Sequence, residues 1–372
     1  DLLFGFDSEP QKRNIAGVLA AYPELARRGI LLRKYGQEAI RITAGKRIHG
    51  TGSIPGGVNK RISAEERDEL LRPLPQILDW ARAGVRLVAE LHEKNRALYE
   101  RFGSVRSNLL SLVGRDGKLD LYDGVLRARD ATGQLIFDQL EPRDYLGCLQ
   151  EDVRSWSYMK FPFIAARGAD AGWYKVGPLA RIQNCDAIPT PEAEAARQEF
   201  LAGSPAELIH GSLAFHWARM IELLHAAEVI GELLADPALL GDELAATGPA
   251  FGGAARAASG RVGIAIIEAP RGTLIHHYEV DDQDLVTLCN LIVSTTHNNQ
   301  AMNEAIRDVA REHLDGHEPT EGLLNQIEVA IRAFDPCLSC ATHALGKMPL
   351  WVELRDARGG LVERLTRDGE QL

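Results

Sequence analysis

FDPCLSCATH, residues 334–343, sets two cysteines three positions apart, with Asp335 before them and His343 after them. It follows GLLNQIEVAIRAF, residues 322–334, an amphipathic helical pattern. Asp-Pro stops that helix, because proline has no N–H to give and restricts the residue ahead of it. Cys337 and Cys340 therefore fall on a turn at a helix end. Cys-x-x-Cys admits half a zinc site, a redox dithiol, or one side of a soft-metal site for zinc, copper, iron or nickel. A full zinc site wants a second pair, and Cys148, Cys185 and Cys289 are not spaced to supply one. A thioredoxin-like dithiol would follow a strand instead of a helix. If the pair binds metal, it supplies half of the coordination.

Around this stretch the pattern is mainly helical. Residues 63–102 open with Ser63 and Glu66 at capping-box spacing and put Ile77, Trp80, Leu87, Val88, Leu91 and Leu98 on one stripe, a long helix with a kink at Pro73 or Pro75. Helix returns over 213–236, where Trp217, Met220, Ile221, Leu224 and Glu228 repeat at 3.6, and again over 299–314 and 321–334. Alternation predicts a hairpin in LDLYDGVLRARDATGQLIFDQL, residues 119–140, and strands at 260–269 and 272–280. A last hairpin is expected from LWVEL and LVERL, at 350–354 and 361–365. The Ala/Gly-rich stretch 245–260 reads as an inserted loop. DLLFGFDSEPQKR, residues 1–13, reads as the end of a helix entered from upstream, which implies a missing N-terminal portion. Long helices with small peripheral hairpins define a mainly α (α+β) protein in one domain.

Composition narrows the function. With 372 residues, 45% hydrophobic, and a net charge of −10, the chain can bury a large core but offers no phosphate-neutralising surface, so nucleic acid is not an expected partner. No apolar run approaches the roughly 20 residues of a membrane span. Five cysteines, an odd number with only one close pair, fit a reducing compartment better than a disulfide framework.

HGTGSIPGG, residues 49–57, lacks the helix and the acidic residue that a dinucleotide loop needs, and reads as a tight loop allowing close backbone approach. The histidines ahead of His343 read as satisfied structural residues, and HLDGH, with His313 and His317, lacks the glutamate of a zinc-protease helix. EAPRG, residues 268–272, is either a surface turn or a device that fixes Arg271 at the mouth of a pocket, with its donors toward an electron-rich ligand.

Taken together, DPCLSCATHALGKMPL (335–350), the stretch 33–60 from RKYG to GGVNK, WSYMKFPF (156–163), VGPLARIQ (176–183), HWARMIELLHAAEV (216–229), EAPRGTLIHHY (268–278) and NNQAMNEAIRDVA (298–310) resemble the large, catalytic subunit of nickel–iron hydrogenases, in their soluble, NAD-reducing branch. The resemblance implies the hydrogenase large-subunit fold over residues 1–343, with the metal buried at its centre. It also implies that a maturation endopeptidase removes the tail 344–372, so that this sequence is a precursor.

The resemblance makes Cys337 a terminal nickel ligand and Cys340 a thiolate bridging nickel and iron, the iron also carrying carbonyl and cyanide. Asp335 and Arg271 would overhang the open position, and the backbone at Pro270 would lie near a cyanide. His343 would hold magnesium. The expected reaction is reversible heterolytic splitting of H2, with Cys337 or Arg271 taking the proton. Electrons would pass through an iron–sulfur small subunit to diaphorase subunits that hold the NAD, in the cytoplasm, after nickel-insertion proteins had loaded the metal. The family's second cysteine pair, in Arg-x-Cys-Gly-x-Cys, is absent from this chain, as are its upstream glutamates, so the chain alone is expected to be inactive. The alternatives are a non-catalytic interaction subunit like that of complex I, a hydrogenase of the same group with another electron acceptor, and a small zinc or redox module.

Overall fold

The computed structural model describes residues 2–54, 56–204, 208–246, 261–314, 320–342, 351–356 and 358–366. Two long helices, Leu74–Lys94 and Ala214–Ala235, lie along each other and form the middle of the main core. Leu74, Ile77, Ala81 and Val85 face Ala214, Phe215, Ala218, Ile221 and Leu224, all buried, at the spacings a helix interface requires. Small residues such as Ala81, Ala214 and Ala218 let the axes approach closely.

The helix expected over 63–102 is three helices: Ala64–Leu71, Leu74–Lys94 and Arg96–Arg101. The Ser63 hydroxyl accepts from Glu66 N, and the Glu66 carboxylate accepts from Ser63 N, so the capping box forms. Pro73, which cannot donate, interrupts the ladder, and Asn95 breaks it again with φ −125° and ψ 34°. The second break turns the stripe, so Leu98 is 37% exposed while Ile77 is buried.

The opening residues correct another expectation. Residues 2–9 are turns without helix, followed by the 3-10 turn Pro10–Lys12 and the helices Ile15–Ala21 and Pro23–Ala44. Glu9 and Pro10 start a turn, and Asn14 caps the next helix by accepting from Gly17 N at 3.0 Å.

Two sheets stand against the helical core. One runs Leu135–Leu140, Val125–Arg129, Asn108–Val113, Tyr174–Lys175, so the hairpin expected over 119–140 is present and extended by two further strands. All six residues of Asn108–Val113 are buried, the polar Asn108 and Ser111 included, so this strand shows no alternation of buried and exposed residues. The other sheet runs Val286–Ile292, Gly272–Val280, Val262–Ala269, and contains both strands expected at 260–280. Ile266, Ile275 and Ile292 of this sheet pack with Leu110, Leu112 and Tyr174 of the first.

Between the sheets and the long helices lies Pro178–Asn184, a helix with all seven residues buried. Its C-terminal carbonyls are taken up by arginines: Arg197 donates to Ile182 O and Cys185 O, and Arg127 to Asn184 O. The helices Asn299–Leu314 and Glu321–Ala333 form as expected. So does the tail hairpin, Trp351–Arg355 with Leu361–Thr366. Of the loop 245–260 only Ala245 and Ala246 are described; both meet the 56–57 turn, where Ala246 N donates to Gly56 O at 2.9 Å. His343 and His317 lie outside the described residues. No described helix is long and apolar enough to cross a membrane.

Candidate metal centre

Helix Glu321–Ala333 ends on Phe334, whose ring meets Phe215 at 4.7 Å between centroids. Asp335 then takes φ 53°, a left-handed conformation that Asp tolerates better than most residues and that reverses the chain in one step. Its N–H closes the helix on Arg332 O at 2.9 Å. Cys337 follows with its N–H on the Thr295 hydroxyl at 3.0 Å, and Leu338–Thr342 forms a short helix that returns Cys340 toward it. The two Cα atoms stand 5.4 Å apart, with the sulfurs close enough to be joined as a disulfide.

The turn Pro270–Arg271 joins Val262–Ala269 to Gly272–Val280. Arg271 Nε donates to Asp335 O at 2.6 Å, and its Nη2 lies 3.5 Å from Asp335 Oδ1. Both expectations for EAPRG stay open: the Arg271 side chain is 40% exposed, as on a surface turn, and it is also held on the segment that carries the cysteines. Two glycines make this possible. A Cβ on Gly177 would come within 2.8 Å of Arg271 O, and one on Gly272, at φ 137°, within 2.2 Å of Val176 Cγ2. The Pro270 turn thus rests directly on the backbone leading into Pro178–Asn184.

Behind the turn is a buried ionic group to which no local motif points. Arg181, of VGPLARIQ, gives Nε and Nη2 to the two carboxylate oxygens of Glu222, both at 2.6 Å. Its Nη1 donates to Glu268 Oε2 and Ala269 O, both at 2.8 Å. Glu268 Oε1 accepts from Leu112 N at 2.9 Å and Thr273 Oγ1 at 2.7 Å. Burial opposes both charges. It prevails at Glu268, whose carboxyl is raised, whereas at Arg181 it is outweighed by Glu222 and then Glu268, which strengthen the positive charge.

Two buried histidines meet hydroxyls. His225 meets the Thr190 hydroxyl at 2.8 Å and His297 the Tyr174 hydroxyl at 2.7 Å. Burial lowers His297 to about 3, and burial with Arg219 lowers His216 to about 4, so both rings are neutral.

The structure therefore brings together Pro270, Arg271, Asp335, Cys337 and Cys340. Cys337 is half-buried and Cys340 exposed. Among the described residues no group of three or more His, Cys, Asp or Glu is arranged to hold a metal. Two sulfurs this close, two residues beyond the Asp335 that Arg271 holds, fit part of a soft-metal centre, since thiolates suit nickel and iron.

Comparison with known proteins agrees with this geometry. Residues 130–343 match the nickel-dependent hydrogenase family, and the chain belongs to it, as a large, catalytic-type subunit. It is 45% identical, over 99% of its length and 75% of the relative's, to the beta subunit of the NAD-reducing hydrogenase HoxS of Cupriavidus necator. One component of the F420-non-reducing hydrogenase of Methanothermobacter thermautotrophicus is 36% identical over 98% of this chain and 75% of the relative. Among solved structures, an NAD+-reducing [NiFe]-hydrogenase in its H2-reduced state is similar with a TM-score of 0.87 and 52% identity, over 92% of this chain and 74% of that one. The Ni-Fe-Se hydrogenase of D. vulgaris Hildenborough shares the fold, with a TM-score of 0.64 at 18% identity over 86% of this chain and 70% of that one.

Proposed function

We propose that this chain carries half of the donors of a nickel–iron centre and the residues that overhang it, in a hydrogenase that passes electrons to NAD. The observation that carries the reading is the fixing of Arg271 on Asp335, two residues before a convergent cysteine pair. Cys337 Sγ and Cys340 Sγ would hold the nickel–iron centre, the Pro270–Arg271 turn and Asp335 would line it, and His343 would hold magnesium. When bound, the centre would supply a Lewis-acidic position that polarises dihydrogen for heterolytic cleavage, the overall products being two protons and two electrons. A guanidinium stays protonated, so Arg271 orients and Cys337 Sγ accepts the proton.

The NAD acceptor is supported by the relatives that reduce it, and a subunit of this kind implies an iron–sulfur small subunit, diaphorase subunits and a cytoplasmic setting. A complex I-like role without catalysis would have no use for the two sulfurs. Because one pair of thiolates does not complete the centre, these 372 residues alone should stay inactive. The test is hydrogen-dependent reduction of NAD by the assembled enzyme, alongside the isolated chain. Activity only in the assembly supports the reading; stoichiometric nickel and hydrogen uptake in the isolated chain contradict it.

A further inference from the structure

The buried ionic group behind the Pro270 turn uses every donor of one side chain. Arg181 has five N–H groups. Two go to Glu222, one to Glu268, one to Ala269 O and the last, at 3.4 Å, to Pro270 O. Its side chain is 2% exposed, and that of Glu268 is 0% exposed. The acceptors run through 268, 269 and 270, so the guanidinium grips the strand end immediately ahead of Arg271 and leaves Arg271 itself free to reach Asp335.

The other end of the grip is helix Ala214–Ala235. Glu222, which anchors Arg181, lies one turn from Arg219, whose Nη2 donates to Ala333 O at 3.0 Å, two residues before Asp335. One turn of one helix therefore holds both components. Through Arg181 it fixes the backbone that carries Arg271, and through Arg219 it fixes the backbone that carries Asp335 and Cys337. The helix is rigid on the scale of the site, so these two contacts help to fix the separation of Arg271 from the cysteine segment, together with the direct Arg271–Asp335 contact.

We propose that Arg181 is the positioning residue for Arg271, with Glu222 as its anchor and helix Ala214–Ala235 as the common support. The proposal rests on the reading that Arg271 acts at the metal pair. Lysine at 181 keeps the charge but offers three donors from a single atom, and cannot span Glu222, Glu268 and the two carbonyls. Glutamine at 222 keeps the shape of the anchor and removes its charge.

The experiment is a double-mutant cycle in the assembled enzyme, with Arg181→Lys, Glu222→Gln and Arg271→Lys alone and in pairs. Readouts are hydrogen uptake, nickel content and the infrared bands of the iron's diatomic ligands. Displacement of a catalytic group by about 1 Å costs on the order of 10²-fold, so Arg181→Lys should lose about that factor and Glu222→Gln about tenfold, with nickel retained and the infrared bands shifted as in Arg271→Lys. In the Arg271→Lys background neither should cause a further loss, which a general effect on folding would not reproduce. Should Arg181→Lys not accumulate as folded protein, Glu222→Gln decides by the same criterion. Equal factors in both backgrounds, or wild-type uptake in a folded variant, overturn the proposal and leave the reading of Arg271 standing. Wild-type uptake by Arg271→Lys alone overturns that reading, and the proposal with it.

Discussion

Arg271 reaches Asp335 through two different contacts, a 2.6 Å bond from Nε to the carbonyl oxygen and an ion pair from Nη2 at 3.5 Å. Lysine cannot make both from one nitrogen. Arg271→Lys is expected to lower turnover on the order of 10²-fold while nickel content stays unchanged, as for loss of a preorganised electrostatic donor. Hydrogen-uptake kinetics beside metal analysis check this, and unchanged kinetics would remove Arg271 from the mechanism. At this scale the sequence is readable where the site is contiguous. Asp335, Cys337 and Cys340 lie within six positions, and Arg271 sits in an unusual Pro-Arg-Gly turn. Arg181, Glu222 and Glu268 are not readable as a group. Each is an ordinary charged residue in its own segment, and only the packing of two helices on a strand end makes them one network. Thr295, whose hydroxyl holds Cys337 N, is hidden for the same reason.

Among the elements, the backbone of the Pro270 turn depends on Gly272. Its φ of 137° disfavours an L side chain, and a Cβ would meet Val176 Cγ2 at 2.2 Å and Gly177 N at 3.0 Å. Gly272→Ala should therefore destabilise the chain by about 2 kcal/mol or more, combining left-handed strain with overpacking. Denaturant unfolding of the isolated chain measures it, and an unchanged midpoint would show that the turn is not packed against 176–177. Helices with a strong 3.6 period are legible nearly to their ends, as at 299–314 and 321–333. Helix Pro23–Ala44 is not, because Gly29 and Gly36 and a mixed charge pattern blur its apolar face. The break at Asn95 is equally hidden, since asparagine is tolerated within helices and becomes a stop here only through its backbone conformation.

Over the whole molecule, the chain spans about three quarters of the length of its curated relatives. The fold class follows from composition and periodicity, whereas the exposure of Cys340 does not, because exposure belongs to the assembled surface and not to a motif. The tail hairpin 351–366 forms and is exposed where its residues are described. If it is a maturation segment, intact mass of the active subunit from its host will end at His343, and a subunit ending at Leu372 would refute cleavage. The central claim is that Cys337 and Cys340 are ligands of a nickel–iron centre. Nickel and iron content of the assembled enzyme carrying Cys340→Ser tests it most directly, because a hydroxyl is a poor bridging donor for soft metals. The account predicts that both metals fall to background; a Cys340→Ser enzyme with stoichiometric nickel and iron would contradict it.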